Sequence, residues 1–229
     1  MDHRLYIAAK APRAGYAKTR LGKTIGHPEA IMLYRAFLRD LAVRFAWAPF
    51  PIGWYITPHD AWTDLAPLIG STARVLAQGD GDWSVRQRVL FAGAAARGEQ
   101  RVVLIASDSP HITVETVVDA FGKLAQHDLV LGPVHDGGYY LIGMRGYHDI
   151  FVDVPMSTAT VLADLIRQAR QRGLSVAYVE PTFDVDTVDD LHHLEPFART
   201  RSDLRATRAA LHALHLIPVQ HGPMVEAYA

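Results

Sequence analysis

A basic segment near the start of the chain carries side chains that could bind an anion. The stretch KAPRAGYAKTRLG, residues 10–22, contains Lys10, Lys18 and Arg20. Arginine can hold two phosphate oxygens with its planar guanidinium group, and lysine supplies a compact positive charge. Gly15 lets the backbone approach a ligand closely. A surface segment can carry such charges for solubility alone, so the acidic residues elsewhere in the chain decide between the two interpretations.

Several acidic residues stand just after stretches that are typical of β-strands. They are Asp82, Asp108, Asp136, Asp184 and Asp186. In open α/β sheets, ligands bind beyond the carboxyl ends of the strands, so we expect these carboxylates to share one edge with the basic segment. Each of them alone could equally begin a turn or cap a helix.

Three of these carboxylates, Asp108, Asp184 and Asp186, would need a cation between them if they converge. Two carboxylates about 4 Å apart repel each other by roughly 4 kcal/mol at an effective dielectric constant of 20. Hard oxygen ligands of this kind suit Mg²⁺ or Mn²⁺, which bind carboxylates together with substrate phosphates. The sequence therefore predicts a divalent-metal site beside a phosphate site.

Strands and helices that must position these residues alternate along the chain. Apolar runs predict strands at residues 4–9, 51–57, 73–78, 101–107, 128–134, 139–144 and 174–180. Helical patterns lie at 28–45, at 84–97, at 113–126 after a Thr113 cap, at 157–172 after a Ser157 cap and before Gly173, at 187–197 and at 202–214. This alternation predicts an α/β fold with a mostly parallel sheet, because parallel neighbours need long crossovers. Only a short turn around Gly137 and Gly138 separates the fifth and sixth strands, so we expect one antiparallel pair and a mixed sheet.

Composition narrows the function classes. The 229 residues carry a formal net charge of −1, which gives no general attraction to nucleic acid, and the absence of cysteine excludes disulfides and thiolate chemistry. Without an apolar signal-peptide core or a run of about eighteen apolar residues, we expect a cytoplasmic protein with no membrane span.

We expect one domain over 1–229, with a core at 3–200 and a C-terminal helix and tail at 201–229. The oligomeric state stays open, a homodimer included.

Two common nucleotide-binding motifs are absent from the sequence. The stretch GYAKT at 15–19 lacks the adjacent Gly-Lys and the earlier glycine of a Walker A loop. No strand is followed by G-x-G-x-x-G, which disfavours a nicotinamide-binding Rossmann domain.

Five stretches together resemble the DUF2064 group of nucleotide-diphospho-sugar transferases, which includes glycosyltransferases of the arsenosugar-biosynthesis type. These stretches are AAKAPRAGYAKTRLG (8–22), QGDGD (78–82) with Arg86, IASDSP (105–110), LGPVHDGGYYLIGM (131–144) and FDVDTVDDL (183–191). The resemblance implies a three-layer α/β/α GT-A fold, which the molybdenum-cofactor and phospholactate guanylyltransferases share.

The resemblance also implies roles by position. Lys18 and Arg20 would hold the nucleotide phosphates, and Asp82 would lie near the base or the sugar. The nucleotide site would further include Lys10, Gly15, Arg86, Ser107, Gly137, Gly138 and Tyr139.

Metal and acceptor sites follow from the remaining stretches. Asp108 matches the metal-binding aspartate of GT-A proteins, and Asp184 and Asp186 match a later Asp-x-Asp that binds metal in related guanylyltransferases. The turn from His135 to Tyr140 would face the acceptor, and we expect Asp136 to take the acceptor proton. The implied cofactor is Mg²⁺ or Mn²⁺.

Three functions remain open at this point. The first is metal-dependent transfer from a nucleoside diphosphate sugar to a small acceptor. The second is nucleotidyl transfer, in which a phosphorylated small molecule attacks a nucleoside triphosphate and pyrophosphate leaves. The third is a non-catalytic nucleotide-binding protein, which is favoured by Trp83-Ser84-Val85 and Ala106 where the resemblance leads us to expect Leu-Gly-Glu and Gly.

Overall fold

A seven-stranded mixed sheet forms the centre of the computed structural model, which describes residues 2–216. The strands are β1 (His3–Lys10), β2 (Ile52–Thr57), β3 (Val75–Ala77), β4 (Arg101–Ala106), β5 (Leu129–Pro133), β6 (Tyr139–Arg145) and β7 (Val176–Tyr178). Their spatial order is β3-β2-β1-β4-β6-β5-β7. Strand β6 runs antiparallel to β4 and β5, whereas the other neighbouring strands are parallel. All seven predicted strands and the mixed sheet are confirmed.

Helices flank the sheet on both faces. They are α1 (Thr19–Ile25), α2 (His27–Phe45), α3 (Trp62–Ile69), α4 (Trp83–Ala96), α5 (Val114–Lys123), α6 (Val161–Gln171), α7 (Val188–Thr200) and α8 (Arg205–Ala213). Helices α1 and α3 were not predicted from the sequence. Helix α1 is short and has no side-chain cap, and Pro67 inside α3 weakens the helical pattern.

The predicted N-caps are confirmed at α5 and α7, whereas the one predicted at α6 is wrong. Thr113 and Thr187 each accept a hydrogen bond from the backbone N–H three residues later, as N-caps do. Ser157 does not cap α6, because the helix begins only at Val161 and Ser157 lies before it with a left-handed φ of 61°. Gly173 follows the end of the helix with a φ of 68°, which glycine adopts without a steric penalty.

Two apolar cores separate the layers of the fold. Along β1, Leu5 and Ile7 face one core while Tyr6 faces the other, as the period of two in a strand requires. Helices α2, α3, α5, α7 and α8 contribute to the first core, and α4 and α6 contribute to the second. The predicted three-layer α/β/α architecture is confirmed. It leaves the carboxyl ends of the central strands open between the two helical layers.

Two further sequence predictions concern membrane spans and the C-terminal tail. None of the helices in residues 2–216 is long and apolar enough to cross a membrane. The predicted tail lies outside the described residues from position 217 onwards.

Candidate active site

A cavity of about 780 Å³ opens at the carboxyl ends of β1 and β4. Its walls include the start of β6, the first turn of α4 and the segment 156–161 that leads into α6. Small-molecule sites typically have volumes of about 300–1,000 Å³. The crevice is therefore large enough for a ligand of nucleotide size.

Ten of the predicted site residues border this cavity. They are Lys10, Arg20, Arg86, Ser107, Asp108, Asp136, Gly138, Tyr139, Asp184 and Asp186. They come from distant parts of the chain and meet because the strands that precede them end at one edge of the sheet. Their individual roles stay predictions.

A smaller cavity of about 180 Å³ adjoins the first along the basic segment. Lys10, Lys18 and Arg20 line it together with Asp108 and Asp186. Three cations thus surround a small polar space, which suits an anion such as a phosphate group.

The side chain of Lys18 is buried among acceptors rather than open to solvent. Its Nζ donates to the carbonyl oxygen of Val185 at 2.7 Å and lies 2.6 Å from Oδ1 of Asp108 and 3.5 Å from Oδ1 of Asp186. Only 1% of the side chain is exposed. Asp186 also pairs with Arg20, whose side chain is 66% exposed. Lys18 therefore supplies a cation between two of the carboxylates predicted to converge.

The ion pair determines the protonation of both partners. Burial disfavours the charged form of Lys18, but the negative charges of Asp108 and Asp186 outweigh it and raise the pKa of the ammonium. Burial likewise opposes ionisation of Asp108, and Lys18 outweighs it and lowers the pKa of that carboxyl. Both groups are charged near neutral pH.

Asp184 lies in a different environment from the other two carboxylates. Its Oδ1 accepts a hydrogen bond of 2.5 Å from Ser109 Oγ. Burial, and then the nearby charge of Asp108, raise the pKa of Asp184 to about 7. The carboxyl group is therefore close to its midpoint of titration near neutral pH.

These carboxylates fit a divalent ion only in part. Within residues 2–216, no three acidic or histidine side chains stand close enough together to form a preformed metal site. Asp108 and Asp186 do converge on one cation, the Lys18 ammonium. Since Mg²⁺ is commonly bound by one or two carboxylates plus substrate phosphates, this pair suits such an ion once phosphate oxygens are present.

Arg86 is held firmly in the wall of the large cavity. Its Nε donates to the Gly81 carbonyl at 2.9 Å, and its Nη1 lies 3.3 Å from both Thr57 Oγ1 and Gln78 Oε1. Gln78 is fixed in turn by a hydrogen bond of 2.7 Å to the Tyr55 carbonyl. A guanidinium held in this way presents a fixed set of donors to a ligand.

Comparison with known proteins assigns the chain to a family. Residues 50–158 match the family model described as "Uncharacterized protein conserved in bacteria (DUF2064)". The crystal structure of a candidate nucleotide-diphospho-sugar transferase from Desulfovibrio desulfuricans G20 is 30% identical, over 93% of this chain and 96% of that chain, with a TM-score of 0.86. The chain belongs to the DUF2064 family.

More distant solved structures share the fold of this DUF2064 chain. A cytidylyltransferase from Leptospira borgpetersenii is 11% identical over 94% of both chains, with a TM-score of 0.56. The 4-diphosphocytidyl-2C-methyl-D-erythritol synthase from Anaerococcus prevotii is 11% identical over 86% of this chain and 96% of that one, with a TM-score of 0.57. At this identity the likeness concerns the fold alone. Among curated proteins, none matches the sequence.

The DUF2064 cavity has an apolar wall in which Tyr139 was a predicted site residue, whereas Trp83 and Met156 were not. Trp83, Tyr139 and Met156 border the cavity, and the Tyr139 hydroxyl lies 2.7 Å from Nε2 of the buried Gln87. Because this hydroxyl is already bonded, the wall offers mainly ring and thioether surface to a ligand. The position of Trp83 directly after the QGDGD stretch could have indicated it.

Tyr34 was also missed as a site residue, because its helical spacing marks it only as part of the core. Its hydroxyl accepts a hydrogen bond of 3.0 Å from the Lys10 backbone N–H and lies 2.8 Å from Ser107 Oγ. Tyr34 thereby joins the ends of β1 and β4 beneath the cavity.

Three predicted site residues border neither cavity. Gly15 has a φ of 75°, and no atom lies within 4 Å of the point that a Cβ would occupy, so the turn needs glycine there for its backbone conformation. Asp82 caps α4 by accepting a hydrogen bond of 3.0 Å from the Val85 N–H. Gly137 has a φ of 88° and lies directly against the Ala159 carbonyl. Any contact of these residues with a nucleotide stays a prediction.

Proposed function

We propose that this DUF2064 protein transfers a sugar from a nucleoside diphosphate sugar to a small acceptor, with a divalent ion. The proposal depends above all on one observation, the small cavity in which Lys10, Lys18 and Arg20 meet the carboxylates of Asp108 and Asp186. This pocket opens beside a cavity of nucleotide size. The similarity to the candidate nucleotide-diphospho-sugar transferase over nearly the whole chain supports the same function.

In the proposed complex the diphosphate lies in the small cavity. Arg20, which is largely exposed, and Lys10 contact the phosphate oxygens, while Asp108 and Asp186 hold the metal ion. The ion would neutralise charge on the departing diphosphate. The sugar and the acceptor then occupy the larger cavity between the 134–140 turn and the apolar wall.

The reaction breaks the bond between the anomeric carbon and the diphosphate oxygen. A hydroxyl oxygen of the acceptor forms the new bond to that carbon, and its proton passes to a base. We assign this role to Asp136, which borders the cavity and whose Oδ1 is positioned by the Gly138 N–H at 3.0 Å. The nucleoside diphosphate leaves with its electron pair.

A thermal-shift titration tests the binding part of the proposal. Nucleoside diphosphates and nucleotide sugars are added with and without Mg²⁺ or Mn²⁺, and stabilisation should increase with ligand concentration relative to Kd. Asp108→Ala should remove the metal-dependent part of the stabilisation. Lys23→Met, an exposed residue on α1, provides the matched control and should leave it unchanged. A metal-dependent stabilisation of Asp108→Ala as large as that of the wild type would show that the site is assigned wrongly.

Nucleotidyl transfer is the second candidate, because the cytidylyltransferase named above shares this fold. The two reactions differ in the leaving group. Release of a nucleoside diphosphate from a nucleotide sugar indicates sugar transfer, whereas release of pyrophosphate from GTP or CTP with a phosphorylated acceptor indicates nucleotidyl transfer. Nucleotide binding with no turnover across a broad donor and acceptor panel would favour the third function, a non-catalytic nucleotide-binding protein.

A further inference from the structure

The ammonium of Lys18 stands where a metal ion would have to bind. It lies 2.6 Å from Asp108 Oδ1 and 3.5 Å from Asp186 Oδ1, and its third acceptor is the Val185 carbonyl at 2.7 Å. The rings of Tyr34 and Phe37 lie 5.9 and 5.7 Å from Nζ. These neighbours hold the positive charge in a closed site, so Lys18 is the counter-ion of the carboxylate pair.

The backbone of Lys18 is strained in this arrangement. Its φ of 51° and ψ of 39° are left-handed, and it is followed directly by the first residue of α1. Residues other than glycine adopt this conformation only when their surroundings compensate for its cost. The buried ion pairs of Lys18 with Asp108 and Asp186 are interactions that can offset this cost.

A divalent ion and the Lys18 ammonium cannot both occupy this position. An ion coordinated by Asp108 and Asp186 would lie next to the positive charge of Lys18. Two cations held this close together repel each other strongly even when the charges are considerably screened. The two carboxylates also provide only part of the ligand set of Mg²⁺, which usually includes phosphate oxygens. Tight metal binding therefore requires the ammonium to move and additional oxygen ligands to arrive, and either change alone should strengthen it.

The small cavity gives the ammonium another place to go. Lys18 lines this space together with Lys10 and Arg20, the two cations that we assign to phosphate binding. A phosphate group there would offer the ammonium new acceptors while it supplies oxygen ligands to the metal ion. Nucleotide binding thus provides both of the changes that metal binding requires.

We propose that Lys18 is a displaceable internal cation that excludes the divalent ion from Asp108 and Asp186 until a nucleoside diphosphate enters. On entry of the nucleotide the ammonium moves from the carboxylates to the phosphates and the metal ion takes its place. The proposal rests on the proposed function, because it requires a nucleotide and a metal ion at this site. By linkage, the nucleotide strengthens metal binding by the same factor as the metal strengthens nucleotide binding.

Manganese binding tests the proposal directly, without any catalytic reaction. The electron paramagnetic resonance signal of free Mn²⁺ is titrated with the full-length protein, first alone and then with saturating UDP, GDP or CDP, each measured relative to the same nucleotide without protein. The wild-type protein should bind Mn²⁺ about tenfold or more tightly with the effective nucleotide than without it. Lys18→Met should tighten Mn²⁺ binding in the absence of nucleotide by about tenfold or more, because the competing charge is removed. Lys23→Met, which removes the charge of an exposed lysine on α1 instead, should leave Mn²⁺ binding unchanged.

Each outcome bears on the proposal in a defined way. Unchanged or weaker Mn²⁺ binding by folded Lys18→Met without nucleotide would overturn it. If Lys18→Met does not fold, the wild-type titrations decide, and an Mn²⁺ affinity that is the same with and without nucleotide would refute the displacement. In both of these cases a nucleotide-dependent thermal shift would leave the proposed function intact. Absence of any nucleotide binding by the wild-type protein would instead refute the proposed function together with the proposal.

Discussion

Replacing Gly137 by alanine should disturb the cavity through a single backbone contact. A Cβ at this position would lie 1.9 Å from the Ala159 carbonyl oxygen, and the Gly137 carbonyl itself accepts a hydrogen bond of 3.1 Å from the Leu162 N–H. The left-handed φ of 88° destabilises the folded alanine variant by about 1–2 kcal/mol. Because alanine also leaves the unfolded chain less conformational freedom than glycine does, about 0.4–1 kcal/mol of this loss is offset. The overlap with the carbonyl adds about 1–3 kcal/mol, as overpacking does. We expect a total loss of about 2–4 kcal/mol.

Gly98→Ala is the matched control for this measurement. Gly98 has a φ of 81° but no atom within 4 Å of the position of a Cβ. An alanine there is therefore destabilised by its backbone conformation alone, with no steric overlap. Urea unfolding should show Gly137→Ala to be about 1–3 kcal/mol less stable than Gly98→Ala. Because Ala159 belongs to the wall of the large cavity, Gly137→Ala should also weaken nucleotide binding, whereas Gly98→Ala should not. Equal losses of stability in the two variants would refute the role assigned to the Gly137–Ala159 contact.

Three further predictions concern acid stability, a helix cap and phosphate binding. Burial lowers the pKa of His111 to about 3, so below about pH 6.5 the unfolded chain takes up a proton that the folded chain excludes. Stability should fall as the pH is lowered through this range, and His111→Phe should lose about 2 kcal/mol less than the wild type between pH 7 and pH 5 in urea unfolding. Thr187→Ala removes the capping box of α7 and should lower Tm by about 2–4 °C in calorimetry, which corresponds to about 1 kcal/mol. Arg20→Met should weaken nucleoside diphosphate binding about tenfold in calorimetric titration, with little change in Tm because its side chain is 66% exposed.

Contradictory results for these three predictions are readily recognised. An unaltered pH dependence in His111→Phe would mean that the buried ring does not control acid stability. A Tm equal to that of the wild type would show that Thr187 is dispensable as a cap. Full nucleotide affinity in Arg20→Met would place the phosphates away from the basic segment.

Local patterns in the sequence were sufficient for most of the fold. Apolar runs predicted all seven strands, and Thr113 and Thr187 marked helix starts because a threonine hydroxyl satisfies a backbone N–H within the next turn. The short helix α1 escaped notice because its first turn has no such cap, and Ser157 suggested a cap that the backbone does not form. These elements depend on contacts from elsewhere in the chain, which a local pattern does not contain.

The sequence by itself determined the α/β class, the order of the elements and the grouping of cations and carboxylates at strand ends, because each of these follows from spacing along the chain. Only the tertiary structure decided which charges face each other. Lys18 and Asp186 lie far apart in the sequence, yet the fold buries the lysine ammonium between Asp108 and Asp186. The sequence required a cation between the converging carboxylates, and the structure supplies one from the chain itself, because burial makes an unpaired charge far more costly than a paired one.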